Sequence, residues 1–149
     1  MRRSVGFFLV LAFMIPVTLH AGNGDLDLWR AAKNGDLKGI REALAKGADI
    51  ETENNVRVTP LAVAASSGHK GVVVFLLEKG AKIDSRSENL YTPLIWAASG
   101  GHLEVVKILV EKGADLNARN DLDLTALGIA KLTFHNEVAG FLVGKGAKE

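Results

Sequence analysis

A step of 33 residues constrains this chain more than any other feature. Glycines recur at that step and are each followed by alanine, and threonine, leucine, alanine and histidine keep the same step. The phased sets are Gly47, Gly80, Gly113, Gly146; Thr59, Thr92, Thr125; Leu28, Leu61, Leu94, Leu127; Ala31, Ala64, Ala97, Ala130; and His69, His102, His135. Such self-similarity marks repeat architectures, because one unit cannot bury its own apolar face. The sequence therefore predicts stacked units forming a solenoid.

Each copy has the sequence signals of two helices. In the third copy, Thr92 is placed as an N-cap and Pro93 as the first helical residue, where a missing N–H costs nothing. The short helix LIWAASG follows and ends at Gly101, which can adopt a positive φ. A second helix carries Val105, Val106, Leu109 and Val110 at helical spacing and closes with Lys-Gly-Ala. The pattern predicts helix-turn-helix units joined by loops.

Composition excludes several classes of protein and site. The chain has 149 residues, 48% of them hydrophobic, which is the range of an ordinary folded domain. It has no cysteine, so disulfides and thiolate metal sites are excluded. Lys and Arg total 18 against 17 Asp and Glu, and this near-neutral balance does not favour nucleic-acid binding.

The first 21 residues have the layout of a secretory signal peptide. Arg2 and Arg3 precede an uncharged apolar run over residues 5–19, which is short for a membrane span of about 20 residues. We predict a signal peptide over residues 1–21 with cleavage after Ala21, a repeat domain over 22–149, and a periplasmic or secreted protein. Leu19 lies three positions before the cleavage site, where a small residue is preferred, so an uncleaved membrane anchor is the alternative.

Two segments carry a resemblance to a known family. TPLAVAASSGHKGVVVFLLEKGAKID (59–84) and TPLIWAASGGHLEVVKILVEKGADLNAR (92–119) resemble ankyrin repeats. The resemblance covers about residues 25–149 and implies an all-α repeat solenoid of about four helix-turn-helix units joined by finger loops. The units fall at about 25–53, 54–86, 87–119 and 120–149. The first and last match less well, as capping repeats do, and we expect them to present a polar outer face.

The chain departs from the ankyrin pattern at two places in each repeat. The histidine that usually follows Thr-Pro-Leu is replaced, and so is the glycine of the turn between repeats. The residues at the histidine position are Ala62, Ile95 and Gly128, and those at the turn glycine are Arg57, Leu90 and Asp123. The first change is expected to lose a local hydrogen bond, and the second bears on the geometry of the turn.

The phased histidines His69, His102 and His135 are the one candidate set for catalysis or metal binding. Neighbouring helices pack about 8–10 Å apart, whereas Zn–N bonds are about 2.0–2.1 Å, so parallel histidines do not easily share one ion. We interpret them as residues that stabilise the turns. The nucleophile elbow, zinc-protease and phosphate-loop motifs do not occur in the sequence. The chain is therefore predicted to be non-catalytic, without cofactor or metal.

The resemblance implies a protein-binding module that contacts its partner through the finger loops and the exposed side of the first helices. The positions carried over are Val56, Val58, Ser66, Ser67, Asn89, Leu90, Tyr91, Ser99, Asp121, Leu122 and Leu124. The apolar members are predicted to line one ridge along the fingers, and an exposed apolar stripe marks an interaction site. The alternative is that they pack against one another and replace the missing turns. Both can also hold, with one face of the ridge packed and the other open.

Two tryptophans are predicted to be structural. Trp96 stands where the family usually has leucine and is predicted to lie in the core; Trp29 is predicted to cover the open end of the stack. The partner is expected to be another protein, not nucleic acid, bound by a monomer that meets a membrane only through its signal peptide. An accessory or protective factor for a periplasmic enzyme and an immunity protein against a toxin are both open.

Overall fold

Residues 24–149 are described by the computed structural model, and the predicted signal peptide and cleavage site lie outside them. Between these bounds the chain forms eight α-helices and no strand. The helices are α1 Gly24–Asn34, α2 Leu37–Ala45, α3 Pro60–Ser66, α4 Lys70–Glu78, α5 Pro93–Ser99, α6 Leu103–Glu111, α7 Ala126–Leu132 and α8 Asn136–Gly144. None of these eight is long and apolar enough to cross a membrane. The predicted all-α repeat solenoid is confirmed.

The helices stack as four pairs. Within a pair the first and second helices pack together, and the first helices α1, α3, α5 and α7 form a continuous row of contacts through the molecule. The second helices α4, α6 and α8 also contact their neighbours. Leu28, Leu61, Leu94 and Leu127, the phased leucines of the first helices, are at most 2% exposed. Each pair therefore buries its apolar face against the next, as the 33-residue step requires.

The threonine caps form as predicted. The side-chain oxygen of Thr59 accepts from the N–H of Ala62 at 3.3 Å, and that of Thr92 accepts from Ile95 at 3.3 Å. Pro60 and Pro93 are the first residues of α3 and α5. The two threonines are buried, so these bonds satisfy orphan helix donors in a place that water does not reach.

The phased histidines join consecutive repeats. The Nε2 atoms of His69, His102 and His135 lie 2.9, 2.8 and 3.0 Å from the carbonyl oxygens of Lys33, Ser66 and Ser99. Each of these carbonyls is at the end of the preceding repeat's first helix, where carbonyls lack an intrahelical partner. The imidazoles thus stabilise the turns, as predicted, and they do so across the boundary between repeats.

The last repeat does not present the polar outer face that we expected of a cap. Leu132, Phe134 and Val143 are 64%, 83% and 55% exposed. Phe134 stands where Gly68 and Gly101 receive the histidine of the following repeat. Nothing within residues 24–149 covers these three side chains, so the expectation of a polar outer face was wrong here.

Candidate functional site

Three hairpin turns project from the stack, and we call residues 54–58, 87–91 and 120–124 fingers 1, 2 and 3. In each finger, the N–H of the fourth residue donates to the carbonyl of the first. The N–H of the first residue donates to the carbonyl of the fifth and closes the hairpin. The fourth residues are Arg57, Leu90 and Asp123, with φ of 59°, 59° and 62°. This is a turn followed by one left-handed residue, the usual three-residue hairpin loop. The turn therefore keeps its shape without glycine.

Side-chain acceptors hold this left-handed geometry. The Oδ1 atom of Asn54 accepts from the N–H groups of Val56 and Val58 at 3.1 and 2.9 Å. Asn120 Oδ1 accepts from Leu122 and Leu124 at 3.0 and 2.9 Å. In finger 2 the equivalent residue is Ser87, whose Oγ accepts from the N–H of Tyr91 at 3.1 Å. Such bonds offset the cost of about 1–2 kcal/mol for a left-handed residue other than glycine.

These acceptors were missed in the sequence, although they keep the 33-residue step. The step runs through Asn54, Ser87 and Asn120, and the serine at the middle position conceals the repeat. The signal that would have found them is chemical: Asn and Ser both accept hydrogen bonds from nearby backbone and initiate turns. The acceptors lie at the base of each finger and position the residues at its tip.

Neighbouring fingers are bonded to one another. The N–H of Glu88 donates to the carbonyl of Val56 at 3.0 Å, and the N–H of Asp121 donates to that of Asn89 at 3.2 Å. The bonds hold the three tips in register, so tip side chains from different repeats share one edge of the molecule. A partner that meets this edge contacts all three fingers together.

The apolar finger residues divide into an exposed set and a set that is buried or half-buried, so one face of the ridge is open and the other is packed. Val56 and Leu122, the third residues of fingers 1 and 3, are 44% and 66% exposed, and Leu90, the fourth residue of finger 2, is 41% exposed. The fifth residues of the fingers turn inward: Val58 is 9% exposed and belongs to the core, and Leu124 is half-buried. The prediction that Val58 contacts a partner is therefore corrected, because its side chain packs beneath finger 1.

The remaining predicted contacts lie at the tips and at the ends of the first helices. Asn89 and Asp121 are exposed, whereas Ser66, Ser67 and Ser99 are half-buried. The backbone carbonyls of Ser66 and Ser99 are already bonded to histidines, so their side chains are the part left for a partner. Leu132 occupies the place of Ser66 and Ser99 in the last repeat and is exposed.

Tyr91 and Trp96 form an aromatic pair between finger 2 and α5. Their ring centroids are 4.7 Å apart and the planes are tilted by 40°. Both side chains are half-buried and pack against the core. Trp96 was predicted to be core, but the pairing with Tyr91 keeps part of it at the surface. Tyrosine and tryptophan are the residues most enriched in binding hot spots.

The indole N–H of Trp96 is buried and has no hydrogen-bond partner among the described residues. A buried donor left unpaired costs about 1–3 kcal/mol. We therefore expect Trp96→Phe to change the free energy of unfolding by less than about 1 kcal/mol, since the lost area is offset by the removed donor. Trp96→Ala is expected to cost about 2–3 kcal/mol. Urea unfolding of both variants tests this; equal losses would contradict it.

Trp29 lies under finger 1. Its Nε1 donates to the carbonyl of Val58 at 3.1 Å, and its ring is half-buried against the core. Lys33 places its Nζ 5.7 Å from the ring centroid. Trp29 thus has a structural role, as predicted, but it bonds to the segment that leads into the second repeat and not to the open end of the stack.

The metal hypothesis finds no support in the described part of the chain. Each imidazole is engaged by a carbonyl of the preceding repeat. Within residues 24–149 no three His, Asp or Glu side chains are placed to hold one ion. The chemical groups that the finger side offers are apolar tips, an aromatic pair and exposed acids.

Comparison with known families agrees with this geometry. A family model described as ankyrin repeats (3 copies) matches residues 28–120 and again residues 89–148. The chain belongs to the ankyrin-repeat family. Ankyrin repeats are protein-interaction modules, and membership supports a non-catalytic binding role. No curated protein matches the chain.

Proposed function

We propose that this ankyrin-repeat chain is an exported bacterial protein that binds another protein across its fingers, as an accessory or protective factor for a periplasmic enzyme. The export step rests on the apolar run of residues 5–19 behind Arg2 and Arg3. The binding step rests chiefly on one observation: Val56, Leu90 and Leu122 stay exposed at the tips of fingers held in register. Exposed apolar groups that share one surface mark interaction sites.

Substitutions at the finger tips can separate an effect on partner binding from an effect on stability. Val56, Leu90 and Leu122 are at least 41% exposed, so aspartate at these positions removes apolar contact area without opening the core. We expect the triple variant V56D/L90D/L122D to capture at least about tenfold less partner from the periplasmic fraction, with little change in melting temperature. Quantitative mass spectrometry of captured proteins measures this.

A control places aspartate elsewhere on the surface, at two positions against three in the tip variant. The variant F134D/V143D also places aspartate at two strongly exposed apolar positions, both in the last repeat and away from the fingers. Capture by this control should match that of the unmodified protein. If the triple variant captures normally, the finger surface is not the binding site. A captured enzyme supports the accessory role; a captured toxin replaces it with the immunity role.

The export proposal has its own test. The intact mass of the protein purified from the cell should equal that of residues 22–149, because cleavage is proposed after Ala21. A mass that includes residues 1–21, together with recovery in the membrane fraction, would favour a membrane-anchored scaffold over a secreted protein.

A further inference from the structure

We infer that the finger surface takes a partner segment in which arginines recur every third residue among apolar residues. This inference rests on the proposed function and names the chemistry of the partner. Three features of the surface carry it: carboxylates at the tips without an ion partner, an aromatic pair without a cation, and the spacing between fingers.

The acids at the tips of fingers 2 and 3 are not neutralised within the chain. Glu88 and Asp121 occupy equivalent positions one repeat apart, and both are exposed. Among residues 24–149 neither is within 4.0 Å of a basic group. A pair of carboxylates on neighbouring tips favours a partner that carries basic groups.

The basic residues in the fingers and directly before them bond to other groups. Arg57 pairs with Glu53 at 3.3 Å, and Arg119 pairs with Asp123 at 3.3 Å. The guanidinium of Arg86 donates to the carbonyl of Arg119 at 3.3 Å. None of these three guanidinium groups therefore pairs with the carboxylate of Glu88 or Asp121.

The Tyr91–Trp96 pair points to arginine as the basic group. Some of the other aromatic rings are covered by the chain's own cations: Arg41 lies 4.4 Å from the centroid of Phe75, and Lys145 lies 5.5 Å from that of Phe141. No cation lies over the Tyr91–Trp96 pair in the described part of the chain. A guanidinium stacks on aromatic faces and also binds carboxylate with two parallel bonds, whereas an ammonium is a point charge.

The repeat geometry sets the spacing. First helices of neighbouring repeats pack about 8–10 Å apart. An extended chain rises about 3.3 Å per residue and a polyproline helix about 3.1 Å, so residues three apart are separated by about 9–10 Å. Arginines at i and i+3 then reach Glu88 and Asp121, and the residues between them lie over Leu90 and Leu122. A segment with this period fits both the charges and the apolar tips.

A synthetic peptide series tests the inference with Trp96 as reporter. In a Trp29→Phe background Trp96 is the one remaining tryptophan of residues 24–149. The probes are capped peptides of three Arg-Leu-Pro units, with Lys-Leu-Pro and Glu-Leu-Pro units as matched controls. We expect the arginine peptide to shift Trp96 emission saturably, and the lysine and glutamate peptides to bind at least about tenfold more weakly.

Variants locate the contact. Glu88→Gln with Asp121→Asn should weaken the arginine peptide at least about tenfold, and added salt should weaken it further. The control Glu111→Gln removes an exposed acid from α6, away from the fingers, and should leave binding unchanged. Since the Trp29 indole bonds Val58, circular dichroism must confirm that the background variant is folded; titration calorimetry of the unmodified protein replaces fluorescence otherwise.

The two proposals can fail separately. Equal binding of the lysine peptide, or no binding of the arginine peptide, overturns the inference about arginine. If the triple tip variant still loses its partner in that case, the finger surface binds protein by other chemistry and the proposed function stands. If the tip variant captures normally as well, both fail.

Discussion

Gly101→Ala is expected to lower the free energy of unfolding by about 2–5 kcal/mol. Gly101 has a φ of 69°, where an added Cβ costs about 1–2 kcal/mol. That Cβ would lie 2.5 Å from Nδ1 and 2.6 Å from Cε1 of His135. The ring cannot move aside cheaply, because its Nε2 is bonded to the carbonyl of Ser99. Overpacking of this kind adds about 1–3 kcal/mol, and urea unfolding measures the sum.

Two controls separate the backbone cost from the clash. Gly113 has a φ of 93° and an added Cβ there meets nothing within 4 Å, so Gly113→Ala should show the backbone cost alone. Phe134 holds the same position in the last repeat with a φ of 61°, and among residues 24–149 its side chain is left 83% exposed. Phe134→Gly should therefore stabilise by up to about 1 kcal/mol. If Gly101→Ala costs no more than Gly113→Ala, the imidazole does not restrict this turn.

Leu94→Ala is expected to cost about 3–4 kcal/mol and to divide the unfolding transition. Leu94 is 0% exposed in α5, which packs on α3, α6 and α7. Leucine-to-alanine changes at such sites cost about 2–5 kcal/mol. In a repeat protein each unit is stabilised by its neighbours, so weakening a central unit uncouples the two ends. Fluorescence and circular dichroism should then give different urea midpoints.

The terminal repeat supplies the comparison for Leu94. Leu127 occupies the equivalent position in α7 and is 2% exposed. Since α7 has a neighbouring first helix on one side, Leu127→Ala should unfold the last repeat and leave the others coupled. A single coincident transition in Leu94→Ala would show that the stack behaves as one cooperative unit even when its centre is weakened.

The fold was predictable because its determinants act over a few residues. Thr92 caps α5 through the N–H three residues on, and Pro93 suits the first position of that helix. The apolar spacing in α6 buries Val105, Val106 and Leu109 as the pattern indicates. Repetition of these local signals at one step leaves stacking as the way to bury the apolar faces.

The binding surface was predictable only in outline. Family resemblance indicates which loops and helix ends face a partner, but the exposure of a side chain depends on the turn that carries it. Val56 and Val58 are two residues apart, yet the left-handed residue Arg57 turns one outward and the other into the core. Valine stands at both positions, so the residue type does not reveal which side chain is exposed.

The 33-residue step by itself determined the helices, their caps and their order in the stack, because those depend on local chemistry that each repeat encodes again. Tertiary structure alone decided what reaches the surface. The histidines reach back to the preceding repeat, neighbouring fingers bond to one another, and Trp96 stays partly exposed against Tyr91. Packing and hydrogen bonds between repeats set these features, and both appear only when the chain has folded.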